Sequence, residues 1–280
     1  MINSLINLFH IKKVFLPPKK KDILIFDSTN SNEIIKLFDI KDCEILDIRN
    51  ELNLFIIFKS LLKLNLSKTL YVNQYISYTK PRLIITYIDN DVSFYEISNN
   101  FQEHTKTIFV QNGYRSIFND IFGLLSDLNS NQIKKLKIDY MFTFGKSISS
   151  EYSKYISGKT IDIGNIKNNK FPILRDKNKI KNSILFISQW VNNSDSINIK
   201  VNEIATRLID QFAFENNLSF GILLRAKPDS LKSEKNFFKN NIKNEFHFIK
   251  KDKIKNSYFW IDTYEQIVTI DSTLGYESLA

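Results

Sequence analysis

A chain of 280 residues, 43% hydrophobic and 25% charged, is sized for about two globular domains, and its 7 glycines and 5 prolines exclude collagen-like and Pro-rich disordered classes. One cysteine, Cys43, excludes an intrachain disulfide framework, and three histidines beside it are too few for a structural zinc site. The net charge of +9 comes mostly from lysines scattered through Asn- and Ile-rich sequence; arginine is sparse and no nucleic-acid signature stands at its expected spacing, so nucleic acid is not an expected partner.

The chain begins with apolar Ile2 to Phe9, then Lys12-Lys13, then Lys19-Lys20-Lys21. Charges that follow the apolar residues do not make a secretory signal, and no window reaches the ~18 apolar residues of a spanning helix. The expectation is a cytoplasmic chain. Its basic start reads as a solvated lead-in to the first strand, the alternative being a peripheral contact with an anionic inner-membrane surface.

Asp22 to Asp27 reads as a buried parallel strand ended by a polar turn, and Ile34, Ile35 and Phe38 as a short helix. Glu44–Ile48 is a second strand. Leu54, Ile57, Phe58, Leu61 and Leu62 fall on one helical face, which predicts that this face is buried. A helix follows over Leu70 to Tyr78, and Pro81 breaks it. Leu83–Ile88 is the strongest strand of the first half and runs into Asp89-Asn90-Asp91. A helix starts near Phe94. Thr107–Val110 is a strand ending in Gln111-Asn112-Gly113, and Asp139–Phe144 is another.

Gly164 to Lys179 reads as a linker, giving domains at 1–170 and 171–280. A second alternation then begins with the strand Ile184–Ile187, ended by Ser188. Val201, Ile204, Ala205, Leu208, Ile209 and Phe212 step through the clearest helix of the chain. Phe220–Leu224 is a strand leading into Arg225-Ala226-Lys227-Pro228, and Phe246–Ile249 is a weaker one. Ile267–Ile270 is a last strand, broken by Asp271-Ser272-Thr273. Gly275 allows close backbone approach to a ligand or an unusual φ, and Tyr276–Ala280 starts a helix. The chain stops about one turn into that helix, so the second domain is expected to be incomplete.

Unalternating apolar runs separated by helices predict α/β domains with parallel sheets, which place ligands where strands end. Ser188, Arg225, Lys227, Ser272 and Thr273 would gather there as cations, hydroxyls and N–H groups for an anion such as a nucleotide phosphate. The plainer alternative is that the cations end a strand in solvent and a hydroxyl caps a helix. Asp89 and Asp91 fit a general base or metal ligands, though turn formation and helix capping are the commoner role of such an Asp-Asn-Asp. Gln111, Asn112 and Gly113 fit either a turn or amides for sugar hydroxyls. No Ser-His-Asp order, Walker loop or three-glycine fingerprint supports hydrolysis, ATP or NAD.

The blocks Lys80 to Asn90, Val110-Gln111-Asn112-Gly113-Tyr114-Arg115, Ile184 to Gln189, Leu224 to Pro228 and Asp271 to Glu277 resemble bacterial surface-carbohydrate (lipopolysaccharide or capsule) biosynthesis proteins. That group is similar to glycosyltransferases of GT-B architecture, two Rossmann-like domains facing a cleft. Enzymes of this kind that use CMP-activated acid sugars carry a His-Pro and a Ser-Ser turn at the nucleotide. Lys227-Pro228 and Ser272-Thr273 stand in those places, the first with Lys for His. The resemblance implies a nucleotide-sugar donor held by Ser188, Arg225, Lys227, Ser272, Thr273 and Glu277. It puts a glycan or lipid-linked glycan acceptor beside Asn90, Gln111, Asn112, Gly113 and Arg115, with Asp89 or Asp91 as base. It implies no bound metal or cofactor. The rival implications are a nucleotide-sugar epimerase and a non-catalytic part of a polysaccharide assembly complex.

Overall fold

The computed structural model describes residues 11–62, 67–101, 103–117, 120–167, 179–190, 197–251, 256–270 and 272–277. The chain divides into two compact units, Met1–Ile166 and Lys167–Ala280. The expected linker residues 168–178, and Asp271, lie outside the described residues.

In the first unit the elements run β1 (Lys12–Val14), β2 (Ile23–Phe26), α1 (Ser31–Ile35), β3 (Cys43–Leu46), β4 (Glu51–Asn53), α2 (Leu54–Leu61), α3 (Lys68–Thr79) and β5 (Leu83–Thr86). They continue as α4 (Val92–Asn99), β6 (Lys106–Val110), α5 (Ile121–Ser126), α6 (Ser130–Ile133), β7 (Lys137–Thr143), α7 (Lys146–Ser153) and β8 (Ser157–Asp162). Six strands form one parallel sheet in the order β3-β2-β5-β6-β7-β8, and β1 pairs with β4 in a second, two-stranded one. The apolar runs follow from this burial: Leu24, Phe26, Ile84 and Phe109 pack on one face, Ile25, Ile85 and Val110 on the other. Helix α3 stops where read, with Lys80 in the left-handed region at φ 51° before Pro81.

The second unit runs β9 (Ile180–Ile187), α8 (Ile197–Glu215), β10 (Ser219–Leu223), α9 (Leu231–Asn241), β11 (His247–Phe248), α10 (Ser257–Thr263), β12 (Tyr264–Thr269) and α11 (Thr273–Glu277). Its sheet is parallel in the order β11-β10-β9-β12. Counted within the unit, that order is 3-2-1-4, so the direction of winding reverses between β9 and β12. Phe186, Phe220 and Phe238 build the core on one face; Leu185, Leu223, Ile261 and Leu274 build it on the other.

Three expectations are corrected. The apolar stripe of α8 faces the core only in part: Ala205 and Ile209 pack there, but Ile204 and Leu208 are 61% and 62% exposed, while Asn202, Thr206 and Asp210 are buried. Two of these inward polar residues, Asp210 and Asn202, terminate loops. Asp210 accepts the Lys243 and Asn244 N–H groups at 2.9 and 3.3 Å, and Asn202 donates to the Gln189 carbonyl at 2.8 Å. Helix α2 likewise buries Ile56 and Ser60 and turns Phe58, Leu61 and Leu62 outward. Gly275 lies inside α11, which starts at Thr273, and its missing side chain makes room for a neighbour instead of a ligand: a Cβ there would come within 2.1 Å of Thr269 Cγ2.

Gly221 works the same way in β10. A Cβ would stand 2.3 Å from the Tyr264 hydroxyl, which bonds His247 Nε2 at 2.6 Å. Burial raises the Tyr264 hydroxyl to about 12 and lowers the His247 pKa, as expected for two groups that stay neutral there. Gly221→Ala should therefore cost about 1–3 kcal/mol in urea unfolding. In a Tyr264→Ala background the same change should cost measurably less; equal costs in both backgrounds would refute the contact.

Candidate functional site

In the first unit, the turns after β5 and β6 and helix α7 meet on one side chain. Thr86 Oγ1 accepts the Ile88 N–H at 3.0 Å and turns the chain out of β5, bringing Asp89 under the sheet edge with no exposed surface. The Asp89 carboxylate accepts from Arg115 Nε at 2.8 Å, Tyr152 Oη at 2.7 Å and the Asn112 N–H at 3.2 Å, and also pairs with Arg115 Nη2. Tyr95 Oη donates to the Asp89 carbonyl. Burial pushes the Tyr95 and Tyr152 hydroxyls well up, and the Asp89 charge pushes further. Burial alone would weaken the hold of the Arg115 guanidinium on its proton; the bonds and charge of Asp89 outweigh it and raise its pKa.

The neighbouring amides are engaged too. Gln111 donates to the Gly113 carbonyl at 2.8 Å and accepts the Phe144 N–H at 2.7 Å, and Asn112 donates to the Tyr87 carbonyl at 2.7 Å. The structure thus brings Asp89, Gln111, Asn112, Gly113 and Arg115 together as an architectural knot. Asp89, expected as a candidate base, has its carboxylate oxygens on internal donors and buried away from water. Asn90 is exposed at the tip of the turn. Asp91 is partly exposed, caps α4 through the Ser93 N–H at 3.0 Å, and keeps Oδ2 4.0 Å from Lys68 Nζ.

Sequence reading missed a left-handed residue at the reversal point of this sheet, between β2 and β5. Asp27 leaves β2 at φ 70°, accepts the Thr29 N–H at 2.8 Å and pairs with Arg49 Nε at 2.6 Å. Beside edge strand β3, a cleft of about 210 Å³ is lined by Glu44, Asp47, Glu51, Asn53 and Tyr71, with Leu16 to Lys19 at its rim.

In the second unit, the predicted residues all follow strand ends at one edge. Register pairs Leu223, Ile187 and Thr269 side by side, so Arg225, Ser188 and Ser272 leave the sheet at nearly one level, the outer two roughly 10 Å apart. Ser188 is buried and donates to Glu234 Oε1 at 2.5 Å. The same fully buried carboxylate accepts the Arg225 and Ala226 N–H groups at 3.0 and 2.9 Å. Ser188 is therefore a brace for the loops, and Glu234 is its missed partner.

Arg225 reaches outward, with Nη1 3.4 Å from Ser257 Oγ, and Lys227 is exposed beside it. Lys251, also missed, donates to the Leu224 carbonyl at 2.9 Å; burial first, and then the Arg225 charge, lower its pKa. Two cations that disfavour each other at a strand edge would both gain from an anion between them. Ser272 and Thr273 begin α11 across β9, and Glu277 ends it. Among the described residues no group of His, Cys, Asp and Glu could hold a metal ion.

Each unit is an α/β layer built on a parallel sheet of Rossmann type, with polar and cationic groups at the strand ends. The fold is shared by UDP-GlcNAc 2-epimerase from Methanocaldococcus jannaschii in complex with UDP-GlcNAc and UDP, at TM-score 0.51 and 12% identity, covering 95% of this chain and 80% of that one. Staphylococcus aureus MnaA with UDP matches at TM-score 0.49 and 14% identity over 92% of this chain and 74% of that one. No curated protein sequence matches the chain. A family described as "putative O-antigen biosynthesis protein" matches residues 108–280. The chain belongs to that family and so to surface-carbohydrate biosynthesis.

Removing one partner of the buried pair leaves an uncompensated charge. Asp89→Leu should cost about 3–5 kcal/mol in urea unfolding, whereas Asp91→Asn, which keeps a capping side chain, should cost under about 1 kcal/mol. Comparable losses would contradict the division of roles.

Proposed function

We propose that the chain is a glycosyltransferase of O-antigen-type glycan assembly, using a nucleotide-sugar donor. The observation that carries this reading is the gathering of cations at the carboxyl edge of the second unit, Arg225 after β10 and Lys251 bonded to the adjacent Leu224 carbonyl, level with the Ser272-Thr273 turn. Arg225, Lys227 and Lys251 bind the diphosphate or phosphate, and Ser272 and Thr273 add hydroxyls and N–H groups at the reversal point of the sheet. Leaving-group charge is then stabilised by these side chains. Glu277 stands one turn further along α11.

Asp91 takes the acceptor proton, because its Oδ2 is the less committed carboxylate oxygen of the Asp89–Asp91 turn. Asp89 and Arg115, with Gln111, Asn112 and Gly113, hold that turn in shape. The acceptor is a glycan or lipid-linked glycan, and the cleft beside β3, with carboxylates around the Tyr71 hydroxyl, suits a polyhydroxylated ring. An epimerase is the second reading, favoured by the fold shared with the M. jannaschii enzyme.

A panel of nucleotides and nucleotide sugars should raise the melting temperature for at least one member, and Arg225→Ala or Lys251→Ala should each weaken that binding about 10-fold or more. No shift with any member would refute the reading. With the binding donor, transfer should require acceptor and fall at least about 100-fold in Asp91→Asn. Conversion of donor alone to an epimer would instead establish the second reading.

A further inference from the structure

Five exposed apolar residues of the first unit lie on two segments, one just after β1 and one along α2. Phe15 and Leu16, just after β1, are 73% and 76% exposed; Phe58, Leu61 and Leu62, on and just after α2, are 63%, 47% and 71% exposed. Several contacts bring the two segments together. Asn53, the N-cap of α2, donates to the Leu16 carbonyl at 2.9 Å. Lys20 and Lys59 both lie over the Tyr78 ring, at 5.4 and 5.0 Å from its centroid, and Phe55 meets the same ring at 5.0 Å.

Charge decides what such a patch fits. Residues 12–20 and 54–62 carry Lys12, Lys13, Lys19, Lys20 and Lys59 and no Asp or Glu. The comparably exposed stripe on α8 is different, since Glu203 pairs with Arg207 beside it and Gln211 with Glu215. Lys12 pairs with Glu51 on β4, while Lys20 and Lys59 lie over the Tyr78 ring; exposed apolar side chains set among such lysines match an interface of acyl chains beneath anionic headgroups.

We infer that the first unit docks on an anionic lipid bilayer through Phe15, Leu16, Phe58, Leu61 and Leu62, ringed by these lysines. Leu16, Pro17 and Lys19 also rim the 210 Å³ cleft beside β3, so docking brings that cleft to the headgroup layer. A lipid-anchored ligand could then offer its polar head to the cleft without leaving the bilayer. The surface stands on exposure and charge alone, independently of whether the second unit binds a nucleotide sugar.

The full chain is mixed with vesicles of phosphatidylethanolamine and phosphatidylglycerol, or of phosphatidylcholine, and sedimented at low and high salt. The expected result is binding to the anionic vesicles that falls as salt rises. Lys13→Ala and Lys59→Ala should each weaken it about fivefold, and Phe58→Ser with Leu62→Ser more than tenfold. Both sites are exposed, so circular dichroism should be unchanged, and Ile204→Ser with Leu208→Ser on α8 should leave binding intact. Absence of binding, equal binding to phosphatidylcholine, or equal loss in the α8 variant would each overturn the inference. So would self-association abolished by the Phe58 and Leu62 changes without vesicle binding, which would make the patch a protein interface.

Discussion

The candidate phosphate site depends on a buried carboxylate that holds loop ends together. Glu234 accepts from the Ser188 hydroxyl and from two consecutive backbone N–H groups, so the loops after β9 and β10 share one anchor. The bonds to the Arg225 and Ala226 N–H groups satisfy donors that a strand end would otherwise leave unpaired. They also fix where the Arg225 side chain departs. Without that anchor the outward cation would sit on a free loop, and the anion-binding geometry would have to be formed on binding.

The first unit uses the same device with a different balance. Asp89 ties the turn after β5 to the turn after β6 and to α7, but it does so as an ion pair with Arg115, in a cage of tyrosine hydroxyls. A carboxylate and a guanidinium buried together are tolerable only because nearly all their hydrogen-bonding groups are satisfied. The arrangement fixes the shape of the turn and keeps the Asp89 carboxylate away from water. Asp91, two residues on, keeps its cap and a partly open oxygen.

The strands were legible because a parallel strand covered on both faces must be apolar throughout, as in Ile23–Phe26 and Leu83–Thr86. β8 was not: Ser157-Gly158-Lys159-Thr160-Ile161-Asp162 is an edge strand with largely exposed side chains and carries no such run. The face of α8 was misread because Asp210 and Asn202 turn inward to end loops, and that of α2 because Ile56 is the apolar residue it buries. Placement of the donor-side residues at strand ends was readable, since winding order dictates it. The roles of Asp89 and Ser188 were not, because their partners Arg115 and Glu234 lie 26 and 46 residues away. Nothing local marks Glu234 or Lys251 as different from any surface charge.

Hydrogen exchange of the full chain, followed by mass spectrometry with and without a saturating nucleotide sugar, tests the central claim most directly. The account predicts added protection concentrated in the loops after β9, β10 and β12, covering Ser188, Arg225 to Lys227 and Ser272 to Tyr276. Protection confined to other segments, or none under saturating ligand, would contradict it.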